Sequence, residues 1–450
     1  MKRDKATERG SIMIAAVIAL IIMLVTGLAV LQLARSGLKV TSASKERTVA
    51  QQAAEAGTDF AIAQLELHPG EWSNIVQTHP DWFQNHSVGD GSFTVDPITW
   101  TGRVARIVSK GKAHQGGRVV SIVRTVRMLP AGWRYALFAD GNIAATGNAS
   151  VYGSIHSNAN IDPAGAGITV GGSFAYTAEY PTDLVESYGN IYDSKGLIPD
   201  VYEYPQANYV PVPPIDWAAF QNPQNFPGVT VYNTRQADAT HPTGTVVKEA
   251  DGSYSYYWAP TQDKKGAYNI DVNTSDFNTW FAPRDGNTKV VVNWLAGTPA
   301  GGGYDYKLHF SGQGTITATL VCPAINGSKS SVQLDGGIVW APTTGVAILT
   351  ESVDMSKVNG HCQLGTETNP ALVFAGGGAT FSANGTMDSQ GSVVVGGSGS
   401  SAPDIDIKGN ATFHWNPGFI NKLPEEWQGY FGPSSSRTLP LIWQQLGAEA

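Results

Sequence analysis

The stretch SIMIAAVIALIIMLVTGLAVLQLARSGLKVTSASKERTVAQQAAEAGTDFAIAQLEL, residues 11–67, decides the fold and changes character once along its length. Residues 11–34 carry no charge and one glutamine, Gln32. As a helix rising about 1.5 Å per residue they cover about 35 Å, enough for a bilayer core of about 30 Å. From Arg35 the polarity switches, yet no proline interrupts the chain before Pro69. Val49, Ala53, Ala56, Phe60, Ala63 and Leu67 then fall at alternating steps of four and three, one narrow seam on a helix. The spacing predicts a membrane span at 11–34 running directly into an amphipathic helix at 35–68, about 85 Å in all.

The remaining composition points away from a helical enzyme. Fifty-one glycines and a charged fraction of 15% in 450 residues suit turn-rich β structure. Residues 1–50 hold eight Lys/Arg against three acids, whereas 131–450 hold 14 basic against 27 acidic residues. An acidic C-terminal part excludes nucleic acid as the expected partner, because binding phosphates needs a basic face. Two cysteines, Cys322 and Cys362, exclude a disulfide-dense scaffold and a four-thiolate zinc site. They leave two readings: one disulfide in an exported chain, or two buried free thiols.

Residues 1–10, MKRDKATERG, form a short basic-leaning head ending in Gly10. A secretory signal would start in the same way, but the apolar run is longer than a usual signal core. Cleavage at Gly27 or Ala29 would also discard half of a coherent helix. A retained anchor is the expectation. Lys and Arg flank the span on both sides, so charge alone does not orient it.

The leader ending in Gly10, the span starting at Ser11 and the phrase QAAEAG at Gln52–Gly57 together resemble the N-terminus of type IV pilins, and more narrowly that of PilX-type minor pilins. The resemblance covers residues 7–67. It implies that a prepilin peptidase cuts after Gly10 and leaves Ser11 as an N-methylated terminus. It further implies other pilin subunits as partners through this helix, and the inner membrane as the site before assembly. Major pilins of that family carry Glu five residues after the cut, where this chain has Ala15. A carboxylate in the bilayer is tolerated when paired, for instance with a neighbour's free amine. A subunit with Ala15 offers no such carboxylate, which predicts a place at a filament end or in an initiating complex.

After Pro69-Gly70, the runs 91–100, 103–113 and 118–128 are β-branched and separated by glycine-containing turns. Region 69–130 is therefore expected to be an antiparallel sheet packed on the helix, matching the roll of pilin heads. Arg103, Arg106, Lys110, Lys112, Arg118, Arg124 and Arg127 make it basic, either a solvated face or a docking face for an acidic partner.

From Trp133 onward, Gly141, Gly147 and Gly153 recur every six residues, as do Ile143, Ala149, Ile155 and Ile161. Such punctuation suits stacked short strands that each bury one apolar residue. The phrase GNASVYG at 147–153 returns as GNATFHW at 409–415. Residues 131–173 and 311–416 are thus expected to form one β-solenoid, similar to that of bactofilins and related polymer-forming domains. Residues 174–310 hold 14 of the 17 tyrosines and read as an insertion projecting from it. Tyr202, Tyr204, Tyr256, Tyr257 and Trp258 are candidate surface aromatics for a glycan or protein ligand, or else the insertion's own core. The tail 417–450, with Trp427 and Trp443, is assigned to cap the solenoid end.

No HExxH, GxSxG, Walker A or CxxC motif occurs. DVNTSD (271–276) and DIDIKG (404–409) only partly match a calcium loop, and His361 beside Cys362 lacks further ligands at metal spacing. Neither an enzyme nor a cofactor is expected, although some β-helices cleave polysaccharides with paired acids. The fold class expected is α+β. It comprises a long N-terminal transmembrane and amphipathic helix with a pilin-like antiparallel meander, then a mainly-β right-handed solenoid with an irregular aromatic-rich insertion. The functional expectation is a minor pilin-like subunit with an initiating, tip or adhesive role. The alternatives are a stationary membrane-anchored periplasmic scaffold and a carbohydrate-active enzyme.

Overall fold

Without a proline through position 68 and rich in alanine, residues 5–67 have every reason to stay helical, and helix α1 (Lys5–Leu67) runs uninterrupted for 63 residues. The computed structural model describes residues 5–449 except 69–74, 102–103, 115–117, 146, 148, 163–167, 171–183, 188–189, 192–201, 208, 211, 213–214, 260, 263–267, 295–305, 324–329, 356–357, 359, 382–385, 398–402, 425–426 and 428–435. The chain is α+β, a long apolar N-terminal helix followed by a mostly β region. It divides into two units, residues 1–127 with 439–450, and residues 128–438.

In the first unit, strands β1 (His86–Val88), β2 (Gly91–Val95), β3 (Thr99–Thr101), β4 (Val104–Ala113) and β5 (Val119–Pro130) form an antiparallel sheet. Its order is β1-β2-β4-β5, with β3 beside β4. Burial alternates along β4, so Ala105, Ile107, Ser109, Gly111 and Ala113 point inward. The helix comes closest at two glycines. A Cβ on Gly111 would lie 2.0 Å from the Ala50 carbonyl oxygen, and one on Gly57 would overlap the Ser109 hydroxyl. At Gly111 the sheet backbone meets the helix backbone, and at Gly57 the helix backbone meets the Ser109 and Phe93 side chains, each approach needing a residue without a Cβ.

The buried stripe of α1 is Ala50, Ala53, Ala54, Gly57, Thr58, Ala61 and Leu65. This corrects the seam expected from apolar spacing, since Leu67 is 69% exposed and Ala63 is exposed as well. The stripe is rotated toward the smallest residues because close approach, not side-chain size, sets which face meets the sheet. Phe60 lies at its margin, against Phe83, His86 and Phe93 at 5.8, 5.1 and 5.8 Å.

The second unit is built of parallel ladders. One joins Gln313–Ile316, Gly337–Trp340, His361–Leu364, the first half of Thr386–Val395, Asn410–Trp415, β8 (Ala149–Tyr152, following β6 Leu137–Ala139 and β7 Ile143–Ala145) and Ile168–Val170. A second passes through the late half of Thr386–Val395, then β6, Ile155–Ser157, Leu184–Ser187 and Tyr202–Pro205. The third passes through Ala371–Phe381, Ile405–Ile407, β7 and Ile161–Asp162. Ile143, Ala149, Ile155 and Ile161, the six-residue series, are buried in one continuous core.

Residues 174–310 are not a projection. Val229–Gln236, Tyr254–Trp258, Tyr268–Asn273, Lys289–Asn293 and Tyr306–Ser311 belong to the same sheet, and their side chains fill the same core. Tyr254, Tyr256 and Trp258 alternate inward along one strand, so the aromatics make that end of the core. The tail also departs from the expected cap. Helix Gly418–Lys422 and Trp427 are buried in the second unit, whereas the strand Ser436–Glu449 lies beside β5 in the first.

The ladder order does not follow the chain. The last strands of the second unit, 386–415, stack on its first, β6–β8, so residues 229–415 precede 137–205 along the stack. Residues 206–228, which carry no strand among the described residues, make the return. Its backbone is held by side-chain amides: Asn158 Nδ2 donates to Val210 O while Asn158 Oδ1 accepts from Val210 N–H, Asn293 Nδ2 donates to Phe220 O, and Asn233 Nδ2 to Gln221 O. Trp427 packs edge-on against Phe220 and Phe226 at 5.3 and 5.2 Å.

Cys322 and Cys362 are free thiols, both fully buried. Burial raises both thiol pKa values, that of Cys362 from the ordinary 9.0 to about 12.

Two predictions follow from this packing. Gly111→Ala forces a methyl into the Ala50 backbone and lowers stability by about 1–3 kcal/mol, seen as an earlier thermal transition, whereas Gly27→Ala, with nothing within 4 Å of its new methyl, does not. Native thiols resist alkylation near neutral pH and react on unfolding. Because the folded thiols ionise later than unfolded ones, stability is complete below pH 9.0 and falls as pH rises toward about 12. Denaturant titrations across that window check the sign.

Candidate functional site

Much of α1 is exposed among the described residues. From Met13 to Ser42 every residue is exposed, and Met13, Leu33 and Leu38 stand 70%, 71% and 71% open. Among the described residues this helix is the one long and apolar enough to cross a membrane. Burial begins at Ala50, so a single helix has an unpartnered apolar half and a packed half.

Hydroxyls in the exposed half are satisfied by the helix itself. Thr26 donates to the carbonyls of Ile22 and Met23, Ser36 to Leu33, and Thr41 to Gly37. In hydrocarbon an unsatisfied hydroxyl is costly, so this back-bonding makes the surface compatible with lipid or with other apolar helices. Gly10 and Ser11 lie within the helical backbone, and Ala15 is exposed on the apolar surface.

The sheet's cations are partly paired locally. Lys110 contacts Asp96 at 2.9 Å, Arg124 pairs with Asp59 of α1, and Arg106, Lys112 and Arg118 are exposed. An exposed pair of this kind adds little stability. The side chains of Arg103 and Arg127 lie outside the described residues.

Two of the three described candidate surface aromatics are core. Tyr256 is 1% exposed and Trp258 5%, which corrects their assignment as a gripping surface. Tyr257 is half-buried and stacks on His241 at 4.4 Å. The side chains of Tyr202 and Tyr204 lie outside the described residues. Tyr209, which composition alone did not single out, is 52% exposed and donates to Asp140 at 2.9 Å.

In the two calcium-like phrases, side chains are engaged locally. Asn273 caps helix Thr274–Trp280 by accepting from Ser275 N–H, and Asp406 pairs with Lys408 at 2.6 Å. Cys362 is buried and His361 exposed on alternate faces of one strand, so they cannot share a metal. Among the described residues no three metal-ligating side chains converge.

No protein-family description matches this chain, and no curated protein matches it. Among solved structures, the competence-associated pilin ComZ from Thermus thermophilus aligns over 90% of this chain and 97% of its own, at 14% identity and a TM-score of 0.31.

Proposed function

We propose that this protein is a pilin-like subunit, held in the inner membrane by residues 11–34 and then assembled into a type IV pilus or a related filament. The observation carrying this reading is α1, with an apolar half that nothing in the chain covers and a second half closed by an antiparallel sheet. Such a helix leaves a bilayer only for another apolar environment, and the exposed halves of neighbouring subunits provide one. The prepilin peptidase would cut between Gly10 and Ser11. Ala15 leaves the new terminus without a carboxylate to offer its neighbour, which favours an initiating or tip position over the shaft.

In this reading residues 128–438 form a β-solenoid, whose successive strands stack in parallel ladders over one core. It would stand outside the cytoplasm as a rigid head with spacing or adhesive duties toward a surface glycan or protein. Among the described residues, Tyr209 and Tyr257 are two aromatics with accessible edges for such a ligand. The reading assigns the head no catalysis. A stationary periplasmic scaffold is the competing account, since the same span would anchor it.

Mass spectrometry of the N-terminal peptide from shed filaments distinguishes the two. A chain beginning at methylated Ser11 is expected, and intact Met1 in peptidase-positive cells would overturn filament entry. Immunogold counting tests position: one or a few copies near an end are expected, and regular spacing along the shaft would sink the tip assignment.

A further inference from the structure

The order of strands in the second unit has a mechanical consequence. A stack that follows its chain has its first and last strands at its two ends, each held along one edge. Here the chain begins and finishes the unit in the middle. β6 lies between Thr386–Val395 and Ile155–Ser157, and Asn410–Trp415 lies between Thr386–Val395 and β8. The first and last strands are thus each hydrogen-bonded on both edges.

The seam where they meet is continuous with the rest of the stack. Leu137, Phe138 and Ala139 face Val393, Val394 and Val395; Ile143 to Ala145 face Ile405 to Ile407; Ala149 to Tyr152 face Ala411 to His414. Inward residues on both sides, from Leu137 with Val393 to Val151 with Phe413, join the single core. At the turn, Gly147 lies so close to Gly409 that a Cβ on it would come 2.0 Å from the Gly409 nitrogen. Outside the turn, Tyr152 stacks on His414 at 4.5 Å with rings 2° apart.

The flanking segments are fastened to each other as well. Trp415 Nε1 donates to Trp133 O at 3.1 Å, Ser392 Oγ to Tyr135 O at 2.7 Å, and Trp133 packs on Phe419 at 5.9 Å. Past the last strand, Trp427 locks the return segment through Phe220 and Phe226. Residues that lead into the unit, return along it and lead out of it are therefore pinned beside the seam.

We propose that this seam is a clamp, so that tension applied through the two chain connections of the second unit meets its most firmly held strands. Pulling on either connection must strip a strand from two neighbours at once, whereas the outermost strands can leave by breaking one ladder. Unfolding then starts at the far ends when the unit opens spontaneously, and the seam opens last. Under tension from the native connections the seam is the first and strongest barrier, and its loss releases the rest. This behaviour is independent of filament membership, because it follows from strand order alone.

Single-molecule pulling on the full-length chain tests the clamp. Handles on cysteines introduced at positions 131 and 421, on the connecting segments beside the seam and outside the first sheet, should give one dominant rupture, releasing roughly 1,000 Å of chain at about 3.5 Å per residue. Handles at Asp162→Cys and Asp251→Cys, exposed positions toward the two ends, load only the residues between them and should give several small ruptures that together release about 300 Å at about 3.5 Å per residue. The first rupture force should be about twofold higher in the first geometry. Equal forces, or a staircase from the native connections, would overturn the proposal. Native-state hydrogen exchange on the unmodified chain provides a second measurement that needs no variant. Amides of 137–139 and 411–414 should exchange about 100-fold more slowly than those of 202–204 and 246–248. Faster exchange at the seam than at the ends would refute it.

Discussion

A parallel strand cannot close its ladder with a neighbouring hairpin, so its hydrogen bonds must be met by a segment one full turn of the chain away. The second unit depends on this constraint throughout. Its short strands are stable only as members of a stack, and each buried apolar residue has value only beside its counterpart in the next turn. The strictest instance lies between 137–152 and 393–414, where partners are more than 250 residues apart. Until residues 393–414 are in place, β6–β8 have one unpaired edge. The return segment 206–228 makes the arrangement reachable, and asparagine side chains stand in for the ladder it lacks.

The first unit answers to a different constraint. A helix that must serve an apolar medium along one half and a sheet along the other cannot present large side chains to both. Alanine and glycine from Ala50 to Ala61 let β4 approach to backbone contact, leaving the bulky residues to the exposed half. Dispersion over a close, smooth contact replaces the burial of large side chains.

How much of this was written in the chain varies with the range of the interaction. The long apolar helix was legible because hydrophobicity over 24 residues is a local property, and so was the six-residue series Ile143 to Ile161. The buried stripe of α1 was misplaced by a fraction of a turn, since counting apolar residues rates Leu67 above Gly57, although close approach favours Gly57. Residues 174–310 were misread because their composition differs, while the pattern of Tyr254, Tyr256 and Trp258 already had the inward alternation of a strand. The likeness of GNASVYG and GNATFHW was visible, but not that one lies directly upon the other. That pairing needs three-dimensional order, as does the partnership of Ser436–Glu449 with β5. Of the candidate ligand-facing aromatics, burial removed Tyr256 and Trp258, a distinction that residue type cannot make.

The matched phrases at 147–153 and 409–415 bear on how such a unit could vary among related chains. Both chain connections are fixed at one place in the stack, and the strands between 306 and 381 lie to one side of it. Inserting or deleting a whole turn there would leave the junction of Gly147 with Gly409 untouched. It would change the length by about 4.8 Å, with the return segment adjusting by a few residues. Reach is thus a parameter separable from attachment, and a lineage could lengthen or shorten the head without redesigning how it is mounted.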